Sequence, residues 1–142
     1  MGKVNIQSLP KLSKELAEEA VTSWLDYKQV DPLQRKDQEA QIEAMISFVT
    51  NGNLILNEDY TFKHILKFPL GEDGKIPVLE ITYKARLREQ ELSHKLSMVK
   101  SDDGDGRLLA HIQALSGEVK GIITALDKED IKIARSVAVF FL

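Results

Sequence analysis

Apolar residues recur at helical spacing along most of the chain and switch to strict alternation only once, a little after residue 60. From Ser8 to Lys28, Leu12, Leu16, Ala20 and Trp24 fall every four residues, and Val21 and Leu25 widen the stripe. This predicts a first helix, with Ser8 and Pro10 at its start. A second helix is predicted from Asp31, whose carboxylate suits an N-cap, with Pro32 at the position that needs no N–H donor. Ile42, Met45, Ile46 and Val49 then mark its buried face. Asn51, Gly52 and Asn53 end it, because glycine takes the left-handed conformation of a C-terminal cap.

The alternating stretch is "TFKHILKFPL". Phe62, His64, Leu66 and Phe68 fall on one face and Thr61, Lys63 and Lys67 on the other, as in a half-buried strand. "GEDG" (residues 71–74) reads as a turn. "KIPVLEITYK" reads as the returning strand, with Leu79, Ile81 and Tyr83 on a shared face and Pro77 at a sheet edge or bulge. Helical spacing resumes from Arg86 to Val99 through Leu92, Leu96 and Val99. It continues past the acidic loop "SDDGDG" through Leu108, Ile112 and Leu115. Beyond Gly117 come Val119, Ile122, Ile123 and Leu126, and Asp127 caps a last helix. The pattern predicts an α+β, predominantly helical fold: an N-terminal helical pair (residues 1–53), one β-hairpin, then a C-terminal bundle of three to four helices. All of it is expected to form a single domain over 1–142, with a hairpin-plus-helices unit over 60–142. A helical pair that stands independently of that unit is the other organisation the pattern allows.

Composition narrows the functions this fold serves. The 142 residues suffice for a core without staples. No cysteine is present, which removes disulfides, thiolate metal sites and cysteine nucleophiles. The net charge is −3, and the densest basic cluster, Lys84, Arg86 and Arg88, is followed at once by Glu89 and Glu91. A nucleic-acid partner is therefore not expected, since phosphate neutralisation supplies most of that affinity. No apolar run approaches the roughly 20 residues of a membrane span, and "MGKVNIQSLPKL" lacks a signal-peptide core. A soluble, cytoplasmic protein with no membrane partner is expected.

Chemistry-bearing motifs are sparse. "DDGDG" (102–106) has the oxygens a calcium ion wants but not the longer frame of an EF-hand, so a solvated loop is the expectation. His64, His94 and His111 have no metal-ligand spacing, and nucleophile, phosphate-loop and dinucleotide motifs are missing. His64, on the apolar face of a strand, is expected to be a hydrogen-bonded core or interface histidine. The reading is a non-enzyme with no catalytic residue, metal or cofactor. The last helix carries apolar residues on two faces: Ile131, Ala134, Ala138 and Phe141 on one, Ile133, Val137 and Phe140 on the other. Such a helix is buried on both faces or binds a partner. Burial of Phe140, Phe141 and Leu142 would contribute about 1.5–3 kcal/mol each. Val137, Phe140, Phe141 and Leu142 are the candidate partner-binding residues. The unpaired strand edges and this surplus of apolar surface also predict a homo-oligomer.

Residues 62–142 carry a sequence of steps: "LKFPL", "GEDG", "LEITYKARL", "ELSHKL", "SDDGDG", "ALSGEVKGIITALDKED" and "FF". This layout resembles the small tail assembly chaperones of contractile-tailed bacteriophages. Leu115, Gly117, Ile123, Leu126, Asp127, Asp130 and the Phe140–Phe141 pair match that pattern. Ser116 stands where the family more often has Thr, "KARLREQ" lacks a Pro often found after the basic step, and residues 1–53 have no counterpart. The resemblance implies a transient, non-catalytic chaperone in the host cytoplasm. It would bind the helical tape-measure protein, recruit tail tube subunits and be absent from the mature virion. A helical adaptor or regulatory protein-interaction module without a phage role is the alternative.

Overall fold

The computed structural model describes residues 12–71 and 76–142. The predicted helix start at Ser8 and Pro10, and Glu72 to Gly74 of the predicted turn, lie outside these residues. Seven α-helices and three strands are formed among the described residues. They are α1 (Lys14–Tyr27), α2 (Pro32–Asp37), α3 (Glu39–Thr50), β1 (Leu54–Leu56), β2 (Phe62–Leu70), β3 (Val78–Tyr83), α4 (Glu89–Leu96), α5 (Gly104–Ser116), α6 (Lys120–Ala125) and α7 (Lys128–Ala138). A 3₁₀ turn, Val139–Phe141, succeeds α7. The fold is thus mixed α+β and mostly helical, as the pattern predicts.

Several elements differ from the prediction, each for a local reason. Helix α1 begins at Lys14, where the Ser13 hydroxyl accepts from the Leu16 N–H at 3.2 Å. Its buried face is Ala17, Val21, Trp24 and Leu25, while Leu12 and Leu16 are exposed. Val21, Trp24 and Leu25 of the predicted stripe are thus buried, and packing against α3 extends the face to Ala17 and away from Leu12 and Leu16. The predicted second helix is two. Asp31 does cap α2, accepting from Gln34 N–H at 2.8 Å, but the backbone leaves helical geometry at Gln38 before α3 begins. Gly52 ends the pair with φ of 84°, as expected of a residue just past a C-terminal cap.

The hairpin supplies two of the three strands of a larger sheet. β1 joins it, giving an antiparallel order β1-β2-β3 with β2 central. Three residues, "LIL", are too short to show alternation, which is why the sequence pattern passes over them. β2 carries a bulge: Ile65 pairs with Glu80 and Leu70 with Val78, so Leu66 to Pro69 oppose Leu79 alone. The bulge resets the alternation. Phe62, His64 and Leu66 face inward as predicted, but Phe68 turns out and is 53% exposed. Leu79, opposite the bulge, turns out as well, leaving Ile81 and Tyr83 inside.

The four helices after the sheet do not form a separate bundle. α7 packs against β2, α3 and α5 together, and α5 packs against α4 and β3. One apolar cluster runs through the chain, and Trp24 of α1 is its largest fully buried side chain. The Trp24 ring lies 5.2 Å from Phe62 on β2, 5.7 Å from Phe140 and 6.1 Å from Phe141, centroid to centroid. Edge and tilted contacts of this kind add about 0.5–1.5 kcal/mol per pair beyond area burial.

Helix α1 ends in a Schellman turn. The Val30 N–H donates to Leu25 O at 3.1 Å, the Gln29 N–H donates to Asp26 O at 3.0 Å, and Val30 is buried. The turn requires a left-handed residue at its C′ position, usually glycine, and here that residue is Gln29 with φ of 58°. Replacing Gln29 with glycine removes the side-chain clash of that conformation. Gln29→Gly is expected to raise the unfolding free energy by about 1 kcal/mol, measured by urea denaturation.

Candidate partner-binding site

α7 is positioned from both ends. At its start, Asp127 Oδ2 accepts from the Glu129 N–H at 2.9 Å, so Asp127 caps the helix as predicted. Asp130, one turn further, is 0% exposed and faces the sheet. Its Oδ1 accepts from the Lys67 N–H at 2.8 Å, and its Oδ2 accepts from the Phe68 N–H at 3.0 Å. Both amides belong to the bulge, where the strand ladder no longer serves them. A carboxylate supplies the acceptors that the bulge removes.

The same carboxylate reaches His64, which is also 0% exposed. His64 Nε2 lies 3.2 Å from Asp130 Oδ1, and Nδ1 lies 2.7 Å from the Tyr83 hydroxyl. The chemistry of the partners fixes the tautomer. Nε2–H donates to the carboxylate, and the Tyr83 O–H donates to Nδ1. Burial lowers the His64 pKa against the opposing pull of Asp130, and Lys67 nearby adds to the lowering. Burial and the Asp130 charge push the Tyr83 phenol well above its usual range. His64 is therefore a hydrogen-bonded core histidine, as its strand position predicts. No buried side-chain N or O atom among the described residues is left without a partner.

The other motifs resolve into local structure. His111 Nδ1–H donates to the Arg107 carbonyl at 2.7 Å within α5, and His94 is exposed on α4. "DDGDG" is partly helical. Asp103 caps α5, accepting from the Gly106 N–H at 2.9 Å, and a Cβ at Gly106 would overlap that capping carboxylate. The loop thus serves as a helix start more than as free, solvated chain.

The predicted partner-binding residues divide by burial. Val137 and Phe140 are inside the core, packed among Trp24 and its neighbours, and are closed to a partner in this conformation. Phe141 is half-buried, and Leu142 is 63% exposed. Lys28 Nζ sits 3.4 Å above the Phe141 ring centroid, a cation–π contact.

Phe140 and Phe141 also line a cleft of about 410 Å³ between the α1–α2 turn and the connection from β3 to α4. Lys28, Gln29, Arg86 and Arg88 contribute its polar wall. The sequence pattern shows Arg86 and Arg88 as a basic cluster with Lys84, but Lys84 is taken up by an ion pair with Glu91. Lys28 replaces it from a distance of more than fifty residues along the chain, which no local pattern reveals. Burial, with Arg86 nearby, lowers the Lys28 pKa to about 8.

Comparison with known proteins adds no relative: no family model, no curated protein and no solved structure matches the chain. Among the described residues no helix is long and apolar enough to cross a membrane.

The buried histidine predicts a pH response. With the His64 pKa below its ordinary 6.5 in the folded chain, the unfolded chain binds the extra proton first as pH falls. The stability from neutral His64 is complete above pH 6.5 and declines below it, down to the folded pKa. The thermal midpoint should fall from pH 6.5 towards pH 5, ahead of general carboxylate protonation. His64→Gln should flatten that limb while lowering the midpoint throughout. An unchanged slope in the variant would assign the response to other groups.

Proposed function

We propose that the chain is a tail assembly chaperone of the contractile-tailed phage type, which holds the tape-measure protein transiently in the host cytoplasm and performs no catalysis. The observation that carries this reading is the 3₁₀ turn after α7, which sets Phe141 at the wall of a cleft and leaves Leu142 exposed beside it. An apolar rim of this kind suits the apolar stripe of a helical partner. The resemblance over residues 62–142 supplies the partner's identity. In that reading, Asp130 and the aromatic pair of the family pattern have distinct tasks: Asp130 fixes α7 on the sheet, and the pair at its far end joins the core to the partner surface.

A helical adaptor without a phage role is the second reading. It is favoured by Trp24, the largest fully buried side chain of the core, which lies in the part of the chain outside the resemblance. A very long helical coding region beside tube and sheath genes favours the chaperone, and a metabolic neighbourhood favours the adaptor.

The division by burial makes the test separable. Phe140→Ala is expected to cost about 3–5 kcal/mol of stability, as a core residue does. Leu142→Asp alters only exposed surface and should change stability by less than about 0.5 kcal/mol. It should nonetheless weaken binding to a purified tape-measure fragment about tenfold, read by calorimetry. Unchanged affinity in a folded Leu142→Asp protein would remove this rim from the interface.

A further inference from the structure

We propose that the cleft walled by Lys28, Arg86, Arg88 and Phe141 is a receptor for an acidic polypeptide segment, one that carries carboxylates beside a large apolar side chain. It rests on the proposed function only in taking the partner to be a polypeptide.

The charge in the cleft is only partly compensated. No carboxylate among the described residues lies within ion-pair range of Lys28, Arg86 or Arg88, whereas Lys84 beside them is neutralised by Glu91. Glu89 is the one carboxylate of the lining, and it is exposed on the first turn of α4. Glu91, paired with Lys84, also feels the Arg88 charge, so two arginines and a lysine face a small volume against one lining carboxylate and a share of a second. Guanidinium groups match carboxylate geometry through paired N–H donors. The backbone here is also held in an unfavourable form: Gln29, on the cleft wall, keeps a left-handed conformation that glycine would adopt without strain. Residues held in such conformations cluster at ligand sites.

The apolar wall selects among anions. A free phosphate would meet the cations and leave Phe141, Leu87 and Leu92 unused. A nucleic-acid base would need an open aromatic face. One face of Phe141 is covered by the Lys28 ammonium, and Trp24 packs against the ring at 6.1 Å. A peptide with a leucine or phenylalanine flanked by glutamates uses both walls. An arriving carboxylate also favours the charged form of Lys28, which burial and Arg86 oppose in the free protein.

The probe is the hexapeptide Ac-Glu-Glu-Leu-Phe-Glu-Glu-NH2, titrated into the isotope-labelled full chain and monitored by NMR. Its glutamine counterpart, inorganic phosphate and a thymidine decanucleotide are run alongside. The expected result is saturable shifts at the Arg86 and Arg88 side chains and at the Leu87 and Phe141 amides. The glutamine peptide should bind at least about tenfold more weakly. Arg86→Gln combined with Arg88→Gln should lower affinity for the acidic peptide by about tenfold, with the thermal midpoint retained because both side chains are exposed. The Lys28 titration should move upward from about 8 on saturation.

The proposal is overturned by an absence of saturable shifts at these residues up to about 5 mM peptide, or by equal affinity for the glutamine peptide. Phosphate or the decanucleotide binding as tightly as the peptide overturns the polypeptide occupant. An acidic peptide that binds while a tape-measure fragment does not counts against the chaperone reading alone. A fragment that binds the double variant normally, with the peptide silent, counts against this inference alone.

Discussion

The Asp130 carboxylate is the point on which the two halves of the structure meet. A bulge in β2 withdraws two backbone amides, Lys67 and Phe68, from the strand ladder and turns them toward α7. An amide left unpaired against such a buried surface costs about 1–3 kcal/mol. Asp130 answers both amides from a helix, and the His64 N–H as well. A fully buried carboxylate would itself be costly without those donors. Bulge and carboxylate therefore require each other: neither is tolerable alone.

That mutual requirement fixes where α7 lies and hence where the end of the chain is delivered. Seated on β2 by Asp130, α7 presses Ile133, Ala134, Val137 and Ala138 into the core and carries Phe140 and Phe141 to Trp24. Trp24 sits one turn before the Schellman turn that sets Lys28 over Phe141. A polar contact at one end of α7 thus determines the aromatic and cationic arrangement at the other. The proposed interaction surface is a consequence of the core's own geometry, with exposed Leu142 beside it.

What was legible in the sequence was what is decided locally. Asp31 and Asp127 cap helices because a capping carboxylate needs only the next few amides, and Gly52 takes its left-handed turn for an equally local reason. The two-strand alternation was legible until the bulge, where Phe68 and Leu79 depart from it. Asp130 reads as an ordinary acidic residue of a helix's first turn, and it is one, favoured there by the helix dipole. Its second role depends on amides more than sixty residues away, which no spacing rule addresses. On α1, Val21, Trp24 and Leu25 are buried as the stripe predicts, while Leu12 and Leu16 are exposed, because packing against α3 chooses among residues that share one period. The cleft was half visible, in Arg86 and Arg88, but the removal of Lys84 by Glu91 and the arrival of Lys28 are tertiary facts.

The most direct measurement is amide hydrogen exchange at Lys67 and Phe68. Both residues lie off the strand ladder in an irregular segment, with exposed side chains and with their amides turned to Asp130. If Asp130 holds them, both amides should open only with global unfolding, with opening free energies matching those of the core strand residues Phe62 and His64. Exchange of either amide at the rate of open chain, while Phe62 and His64 remain protected, would contradict the account.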